Sequence, residues 1–301
     1  MTNKFITLLQ YLSDEPLAGQ RKPNRGFKAV AQRMEQVLNP RNNSAFALAP
    51  DKVCPLVSSG ERMKYVILGL NPHDDGPKGD LHHLATWEEL ADYHVPTNLY
   101  GDNIFDRVLL PNVAYYRRVG TLVHSLEERR YIKWPDFRKG LNAEQTKEKY
   151  RQMIDKTPIG VAEVIPFASK KISLGDKALE NLMAVSSEYR NYLKALLELI
   201  VSNTTEDAWI ICNGSGACQA FEEIMRLESK PLKNWISESE VKKYALYTFK
   251  GKKVLMLYQF LNIMNGALNS HGQIGAMIED VIQASDQIDN APESGTEFDQ
   301  E

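Results

Sequence analysis

The chain has 301 residues, of which 43% are hydrophobic and 25% are charged, and its formal net charge is −3. These values are typical of a globular protein with one large or two modest domains, and no apolar run approaches the roughly 20 residues that cross a bilayer. Three cysteines without CxxC spacing argue against a disulfide framework, a zinc site and an iron–sulfur cluster. Because the N-terminus is polar and resembles no signal peptide, we expect a reduced, cytoplasmic protein with no membrane partner.

The acidic residues are concentrated at the C-terminal end. Residues 286–301 contain six Asp or Glu and no Lys or Arg, so the net charge changes from −3 to +3 when those six are left out. Low hydrophobicity combined with a single sign of charge is typical of a disordered segment. We therefore predict a domain over residues 1–285 and a solvated acidic tail over 286–301.

The N-terminal region predicts helices. An amphipathic helix is expected within residues 1–25, and a second over residues 27–38 that ends at Asn39-Pro40. Residues 42–59 are rich in turn-forming residues and predict irregular structure.

The first strand is followed by the most polar loop of the sequence. Residues 65–70 form an apolar run bounded by Gly and Pro, which predicts a buried strand of a parallel sheet. Ligands bind such sheets beyond the carboxyl ends of the strands, so the polar side chains that follow are candidates for a site. A turn that merely ends the strand is the alternative, since all of these residues are common in turns. The cluster consists of Asn71, Pro72, His73, Asp74 and Asp75.

The next segment holds histidines and aromatic residues and is expected to pass over that site. The adjacent His82 and His83 lack a third ligand at suitable spacing, so we predict no metal. Helices are expected over residues 103–110 and 112–128. Basic and aromatic residues alternate between positions 115 and 139, which suits a nucleic-acid surface, although an amphipathic helix face explains much of the pattern.

Strands and helices alternate through the rest of the chain. Further strands are predicted over residues 161–167, 209–212 and 254–258, and residues 244–249 are expected to pair with the last of these through a Lys250-Gly251 turn. Helices are predicted over residues 176–202, 216–227 and 270–284. This alternation predicts an α/β fold, a three-layer α/β/α sandwich around a central four-stranded, mainly parallel sheet. The chain lacks the Gly-rich phosphate-binding signatures of nucleotide cofactors.

The ends of the later strands are also polar. Glu163 interrupts an apolar strand, and a buried carboxylate is costly unless it is hydrogen-bonded. Its partner is either a local group of the protein or a donor on a ligand. The turn from Asn213 to Gly216 opens a helix, where backbone amides can hold one phosphate.

Together these elements resemble the uracil-DNA glycosylase superfamily. Gly69-Leu-Asn-Pro72 followed by Gly76-Pro77 is similar to its first motif, of the GQDPYHGP or GINPG type, and residues 98–105 are similar to its Ser-Leu-x-Asn-Ile-Tyr segment. The resemblance spans residues from about 60 to 285 and implies an enzyme that flips a base out of DNA and cleaves its N-glycosidic bond. It implies DNA as the partner and neither a metal nor a small-molecule cofactor.

The resemblance also implies catalytic roles. Asn71 occupies the position of the Asp or Asn that positions the attacking water, and Asp74 or Asp75 would supply the charge that an Asn lacks. The family's last motif corresponds to residues 259–272, where the letters do not match. There His271 or Asn265 would stabilise the departing base anion, and either Met264 or Leu268 would be the wedge inserted into DNA.

Two departures from the family pattern bear on the substrate. His73 replaces a Tyr that blocks bases substituted at C5, and Glu163 replaces the Asn that contacts the base. Cytosine offers an amino donor at N4 where uracil offers an acceptor, and a carboxylate accepts from the amino group. The other residues expected to contact the substrate are Gly69, Leu70, Pro72, Phe167, Asn213 and Asn265.

The sequence thus predicts a DNA glycosylase for a C5-substituted cytosine. Glucosylated hydroxymethylcytosine in phage DNA fits both departures, and some glycosylases of this kind serve in phage defence. A uracil or mismatch repair glycosylase and a non-catalytic nucleic-acid-binding protein on the same fold are alternatives. A more distant alternative is a metal-dependent α/β hydrolase or nucleotide-binding enzyme that uses His73, Asp74 and Asp75.

Overall fold

The structure of the protein, a computed structural model, describes residues 2–17, 25–39, 46–53, 55–58, 62–71, 114–170, 174, 177–225, 231–236, 242–258 and 271–289. The helices in these ranges are α1 (Thr2–Gln10), α2 (Arg25–Leu38), α3 (Ala114–Glu127), α4 (Trp134–Phe137), α5 (Ala143–Lys156), α6 (Ala178–Val185), α7 (Ser187–Ser202), α8 (Ser215–Met225) and α9 (His271–Asp289). The strands are β1 (Ala49–Val53), β2 (Leu56–Ser58), β3 (Met63–Gly69), β4 (Ile159–Glu163), β5 (Phe167–Ala168), β6 (Thr204–Asn213), β7 (Lys233–Ile236), β8 (Lys242–Phe249) and β9 (Lys252–Leu257).

A mixed sheet of seven strands forms the centre of the described chain, in the order β2-β4-β3-β6-β9-β8-β7. Neighbours pair in parallel from β4 through β3 and β6 to β9, whereas β2, β8 and β7 add antiparallel pairs at the two edges. The fold is therefore α/β, as predicted, but the sheet is larger than the four strands expected. The edge strands β2 and β7 have only three and four residues, so pairing with a neighbour, rather than a repeating sequence pattern, defines them.

Side-chain alternation along the strands creates two hydrophobic cores. In β3, Val66 and Leu68 face a first core that also contains residues of α1, α2, α6, α7 and α8. Tyr65 and Ile67 face a second core shared with α3, α4, α5 and α9. Since helices cover both faces of the sheet, its strands are apolar on both sides.

Several element boundaries differ from the sequence expectations. The predicted helix over 176–202 is two helices, because the Ser186 hydroxyl accepts a hydrogen bond from the Tyr189 N–H at 3.1 Å and starts a new helix there. Residues expected to be irregular before position 59 include β1 and β2. The second predicted strand ends at Glu163, and Phe167 instead belongs to β5, which pairs with β1 in a separate two-stranded sheet.

The first four residues of the predicted acidic tail belong to a helix. Residues 286–289 are the last residues of α9, and Asp289 accepts a 2.6 Å hydrogen bond from the ammonium group of Lys253 on β9. Residues 290–301 lie outside the described ranges.

The hairpin between β8 and β9 has the predicted turn. Lys250 and Gly251 both have positive φ angles, 47° and 75°, and positive values at both central residues are those of a tight turn that matches the twist of the strands. Among the described helices, none is both long and apolar enough to cross a membrane.

Helices α3 and α5 pack so closely that a methyl group between them has no room. A Cβ added to Gly120 of α3 would lie 2.2 Å from the Tyr150 ring of α5, and that ring is held by edge-on contacts with Phe137 and Trp134. We expect Gly120→Ala to lower the free energy of unfolding by about 1–2 kcal/mol, although alanine favours helices over glycine. Urea denaturation measures this change, with Lys194→Ala on the exposed side of α7 as the control. Stabilisation by Gly120→Ala would contradict the described packing.

Candidate functional site

The carboxyl ends of three parallel strands bring predicted site residues into one row. Gly69 of β3 is the register partner of Glu163 of β4. On the other side of β3, Leu68 pairs with Cys212, so the next residue of β6, Asn213, comes beside Gly69. Neighbouring strands are about 4.8 Å apart, which separates the backbones of Glu163 and Asn213 by about 10 Å, with Gly69 between them.

All three residues face the same side of the sheet. The residues two positions earlier, Ile67, Val161 and Ile211, belong to the second core, and alternate residues of a strand share a face. We call Glu163, Gly69 and Asn213 the edge row. It lies above the second core, at the carboxyl ends of the central strands, which is where ligands of parallel α/β proteins bind.

The carboxyl group of Glu163 lies directly over Gly69. A Cβ at Gly69 would be 2.6 Å from Oε2 of Glu163, so only glycine leaves room for the carboxyl group. The backbone beneath is fixed, because the Glu163 N–H donates to Pro55 at 3.0 Å and its carbonyl oxygen accepts from the Tyr192 hydroxyl at 2.7 Å. The position of the carboxyl group is therefore set by its own backbone and by Gly69.

Oε2 of Glu163 is enclosed although the residue as a whole is partly exposed. It has no hydrogen-bond donor in the described part of the chain. Burial raises the pKa of this carboxyl group to about 8, because the charged form loses its hydration. From the sequence, the partner of Glu163 is either a local group of the protein or a donor on a ligand. Among the described residues, no protein group donates to Oε2.

Asn213 has a similar unpaired atom. Its Oδ1 is enclosed and meets no donor among the described residues. The next residue, Gly214, has a φ of 88°, which favours glycine, and its N–H donates to Leu257 at 2.7 Å. One of the backbone amides at this helix start, that of Gly214, is therefore already hydrogen-bonded within the protein.

Leu70 connects the end of β3 to the first turn of α8. A Cβ at Gly216 would lie 2.9 Å from Cδ1 of Leu70, so the two residues are in close contact. Leu70 is half-buried and packs against the first core. Its role in the described structure is to hold the strand end against the helix.

Asn71 is oriented by a residue distant in sequence. Its Nδ2 donates a 2.8 Å hydrogen bond to the hydroxyl of Ser169, which is buried. Backbone hydrogen bonds from Val164 to Gly69 and from Ile165 to Leu70 hold the two segments together below this contact. The amide nitrogen of Asn71 is the donor in this bond, and its carbonyl oxygen is the hydrogen-bond acceptor of the side chain.

Phe167 differs from its expected role as a substrate contact. It is fully buried in the first core, where its ring packs edge-on against Phe27 with the ring centres 6.4 Å apart. Because the Phe167 ring has no exposed surface and lies in the first core, it cannot stack on a base placed at the edge row. Phe167 instead contributes to the packing of the first core.

The start of α9 lies on the carboxyl side of the sheet, over the second core. Asp280 accepts a hydrogen bond from Tyr244 of β8, and Tyr244 lies beside Leu257, the last residue of β9. Asp289, later in the helix, pairs with Lys253 near the beginning of β9. The helix therefore runs antiparallel to β9. Its first residue, His271, is nine positions before Asp280, or about 14 Å farther along the helix axis in the carboxyl direction.

The remaining predicted site residues are not described. The side chain of His271 and the residues Pro72, His73, Asp74, Asp75 and Asn265 lie outside the described structure, as do Met264 and Leu268. Within the described residues, no group of three or more His, Cys, Asp or Glu side chains is placed to hold a metal ion.

Sequence reasoning missed Ser169 and Tyr192 as supports of the site. Ser169 is 98 positions from Asn71, and Tyr192 is 29 positions from Glu163. Each is one polar residue in an otherwise ordinary segment, so no local signal points to either contact.

The fold and the edge row define an α/β protein with a polar site at the carboxyl ends of its parallel strands. No protein-family model matches the sequence, and no curated protein matches it significantly.

The raised pKa of Glu163 predicts a pH-dependent loss of stability. The pKa of Glu163 is higher in the folded protein than its ordinary value of 4.5. The protonated side chain therefore contributes its full stabilisation of the fold below about pH 4.5, and this contribution is lost as the pH rises towards about 8. A glutamine cannot ionise, so Glu163→Gln should gain stability relative to the wild type over this range. The gain should reach roughly 3 kcal/mol by pH 7.

Urea denaturation of both proteins at several pH values measures this difference. Glu198→Gln, at an exposed position of α7, is the control for the loss of a surface carboxylate. A constant difference between wild type and Glu163→Gln from pH 4.5 to 8.5 would show that the Glu163 carboxyl group keeps an ordinary pKa.

Proposed function

We propose that the protein is a DNA glycosylase that flips a modified cytosine out of DNA and hydrolyses its N-glycosidic bond. The observation that carries the proposal is the enclosed, unpaired carboxyl oxygen of Glu163 at the carboxyl end of β4. A buried polar atom without a partner is costly, and a ligand that supplies the partner removes that cost on binding. The proposal includes the family's three-layer architecture, with β4, β3, β6 and β9 as its central parallel strands.

The edge row suits a flat ring with polar groups. The backbones of Glu163 and Asn213 stand about 10 Å apart, with the Glu163 carboxyl group over Gly69 between them. Both outer residues present an enclosed oxygen that lacks a donor among the described residues. A pyrimidine has polar groups around its ring and fits this pattern better than an apolar ligand does.

Cytosine is the favoured base because it carries an amino group. The N4 amino group donates a hydrogen bond that the Glu163 carboxyl group can accept. His73 in place of the Tyr that blocks C5 in uracil-specific enzymes supports a substituent at C5, and a glucosylated hydroxymethyl group is the expected one. Phage DNA is the proposed source of such a base.

In the proposed reaction, water attacks C1′ of the flipped nucleotide and the bond between C1′ and the base breaks. The bonding electron pair leaves with the base as its anion. The attacking water gives up one proton, which ends on that anion, so the products are the free base and the abasic site. The carbonyl oxygen of Asn71, oriented through the hydrogen bond to Ser169, positions the water. Asp74 or Asp75 stabilises the positive sugar, and His271 or Asn265 stabilises the departing base anion.

DNA backbone contacts would come from exposed basic residues of the segment that follows α3. The segment after α3 packs against the second core, and Tyr131 contacts Gly275 in the first turns of α9. Several cationic side chains of this segment are exposed, and cationic groups bind phosphates with strong salt dependence. They are Arg130, Lys133, Arg138 and Lys139.

A uracil glycosylase is the second candidate, and the raised pKa of Glu163 favours it. At neutral pH a carboxyl group with a pKa of about 8 is mostly protonated. The protonated group can donate to O4 of uracil, which removes the repulsion expected from a carboxylate. The choice between the two bases therefore depends on the substrate assay.

Strand scission at abasic sites tests the proposal. Oligonucleotides that carry uracil, cytosine, hydroxymethylcytosine or glucosylated hydroxymethylcytosine are incubated with the protein and EDTA and then treated with mild alkali. We expect cleavage at the glucosylated base, and a loss of at least 100-fold in Asn71→Ala because the water is no longer positioned. Asn234→Ala, an exposed residue of β7, is the matched control and should keep full activity.

Other outcomes decide between the alternatives. Cleavage at uracil alone would keep the glycosylase and discard the modified cytosine. Tight DNA binding without cleavage of any substrate would indicate the non-catalytic binding protein. Turnover that EDTA abolishes would indicate a metal-dependent hydrolase.

A further inference from the structure

We propose that Glu163 recognises the base as a neutral carboxylic acid, donating a hydrogen bond to N3 of the cytosine ring while accepting one from the N4 amino group. This inference rests on the proposed function and specifies the protonation state of the residue that contacts the base. It differs from the simpler expectation that a carboxylate accepts from the amino group alone.

The first support is the shortage of donors around the carboxyl group. A carboxylate has two oxygens that accept up to about four hydrogen bonds. The nearest backbone donors are already used, since the N–H groups of Glu163, Val164 and Ile165 donate to the carbonyl oxygens of Pro55, Gly69 and Leu70. The Tyr192 hydroxyl donates to the backbone oxygen of Glu163 and not to its side chain.

The second support is the absence of a nearby charge in the described structure. The described elements that meet Glu163 contribute Gly69 from β3, Pro55 before β2 and Tyr192 from α7. Tyr192 is the one titratable side chain in this set. Burial alone raises the pKa of Glu163, and no described Lys, Arg or His opposes it. An ionised group without a cation or donors is strongly disfavoured in such a place, so the proton stays on.

The third support is the shape of the contact. The carboxyl group lies over Gly69, in the space that a Cβ at that position would fill, so it stands in the middle of the edge row. A carboxylic acid presents an O–H donor and a carbonyl acceptor side by side. The N3 acceptor and N4 donor of cytosine are also side by side, so the two groups can form a pair of parallel hydrogen bonds.

The ionised form would lose half of this pair. A carboxylate cannot donate to N3, and its charge would face the lone pair of that nitrogen. A glutamine side chain, in contrast, offers an N–H donor and a carbonyl acceptor in the same arrangement. Glutamine therefore imitates the neutral acid and not the carboxylate, which makes it the decisive substitution.

Single-turnover excision of the base that the wild type cleaves, measured from about pH 6 to pH 9.5, tests this inference. We expect Glu163→Gln to retain activity within tenfold of the wild type at pH 7. The ratio of wild-type rate to Glu163→Gln rate should be constant at low pH and fall tenfold per pH unit above about pH 8. Taking this ratio cancels the titration of other groups, and Glu198→Gln should show a constant ratio throughout.

Two results would overturn the inference while leaving the proposed function intact. One is a folded Glu163→Gln protein that has lost more than 100-fold of its excision rate at pH 7. The other is a ratio that rises with pH, as expected if the carboxylate is the active form. Absence of excision by the wild type on every substrate would instead overturn the proposed function.

A measurement on the wild type remains decisive if Glu163→Gln fails to fold. The protein is labelled with ¹³C at the glutamate side-chain carboxyl carbons, and their NMR signals are followed as the pH is raised. We expect one glutamate to titrate near pH 8. Titration of every glutamate below about pH 6 would show that Glu163 is ionised at neutral pH, which contradicts the inference.

Discussion

The contact between the Glu163 carboxyl group and the backbone of Gly69 is the constraint on which the site depends. It exists because parallel pairing places these two residues side by side and because Gly69 has no Cβ to fill the space. The same pairing brings Asn213 to the other side of Gly69. A register shift by one residue would turn these side chains to the first core, so the site and the sheet register are determined together.

The site is held by contacts that do not involve its reactive atoms. The Glu163 backbone is hydrogen-bonded to Pro55 and Tyr192, and the Asn71 side-chain amide is hydrogen-bonded to Ser169. Neither residue therefore needs a ligand to keep its position. The enclosed oxygens of Glu163 and Asn213, in contrast, have no described partner. Rigid support around unpaired polar atoms is the arrangement expected of a preorganised binding site, and it lowers stability in return for affinity.

The first residues of the acidic C-terminal region contribute to the fold. Asp286 and Asp289 at the end of α9 pair with Arg129 and Lys253, so part of the negative charge balances basic groups at the amino side of the sheet. Exposed pairs of this kind add little stability at physiological salt.

The sequence by itself determined the α/β class, the four strands that became β3, β4, β6 and β9, the β8–β9 turn and the polar residues at the strand ends. These follow from short-range signals: apolar runs, Gly and Pro boundaries, and a Glu inside an apolar strand. Only the tertiary structure decided the short strands β2 and β7, the burial of Phe167, and the partners of Asn71 and Glu163. Those features arise from pairing and packing between residues up to 140 positions apart, as for Phe27 and Phe167, and a contact over that distance has no counterpart in local sequence.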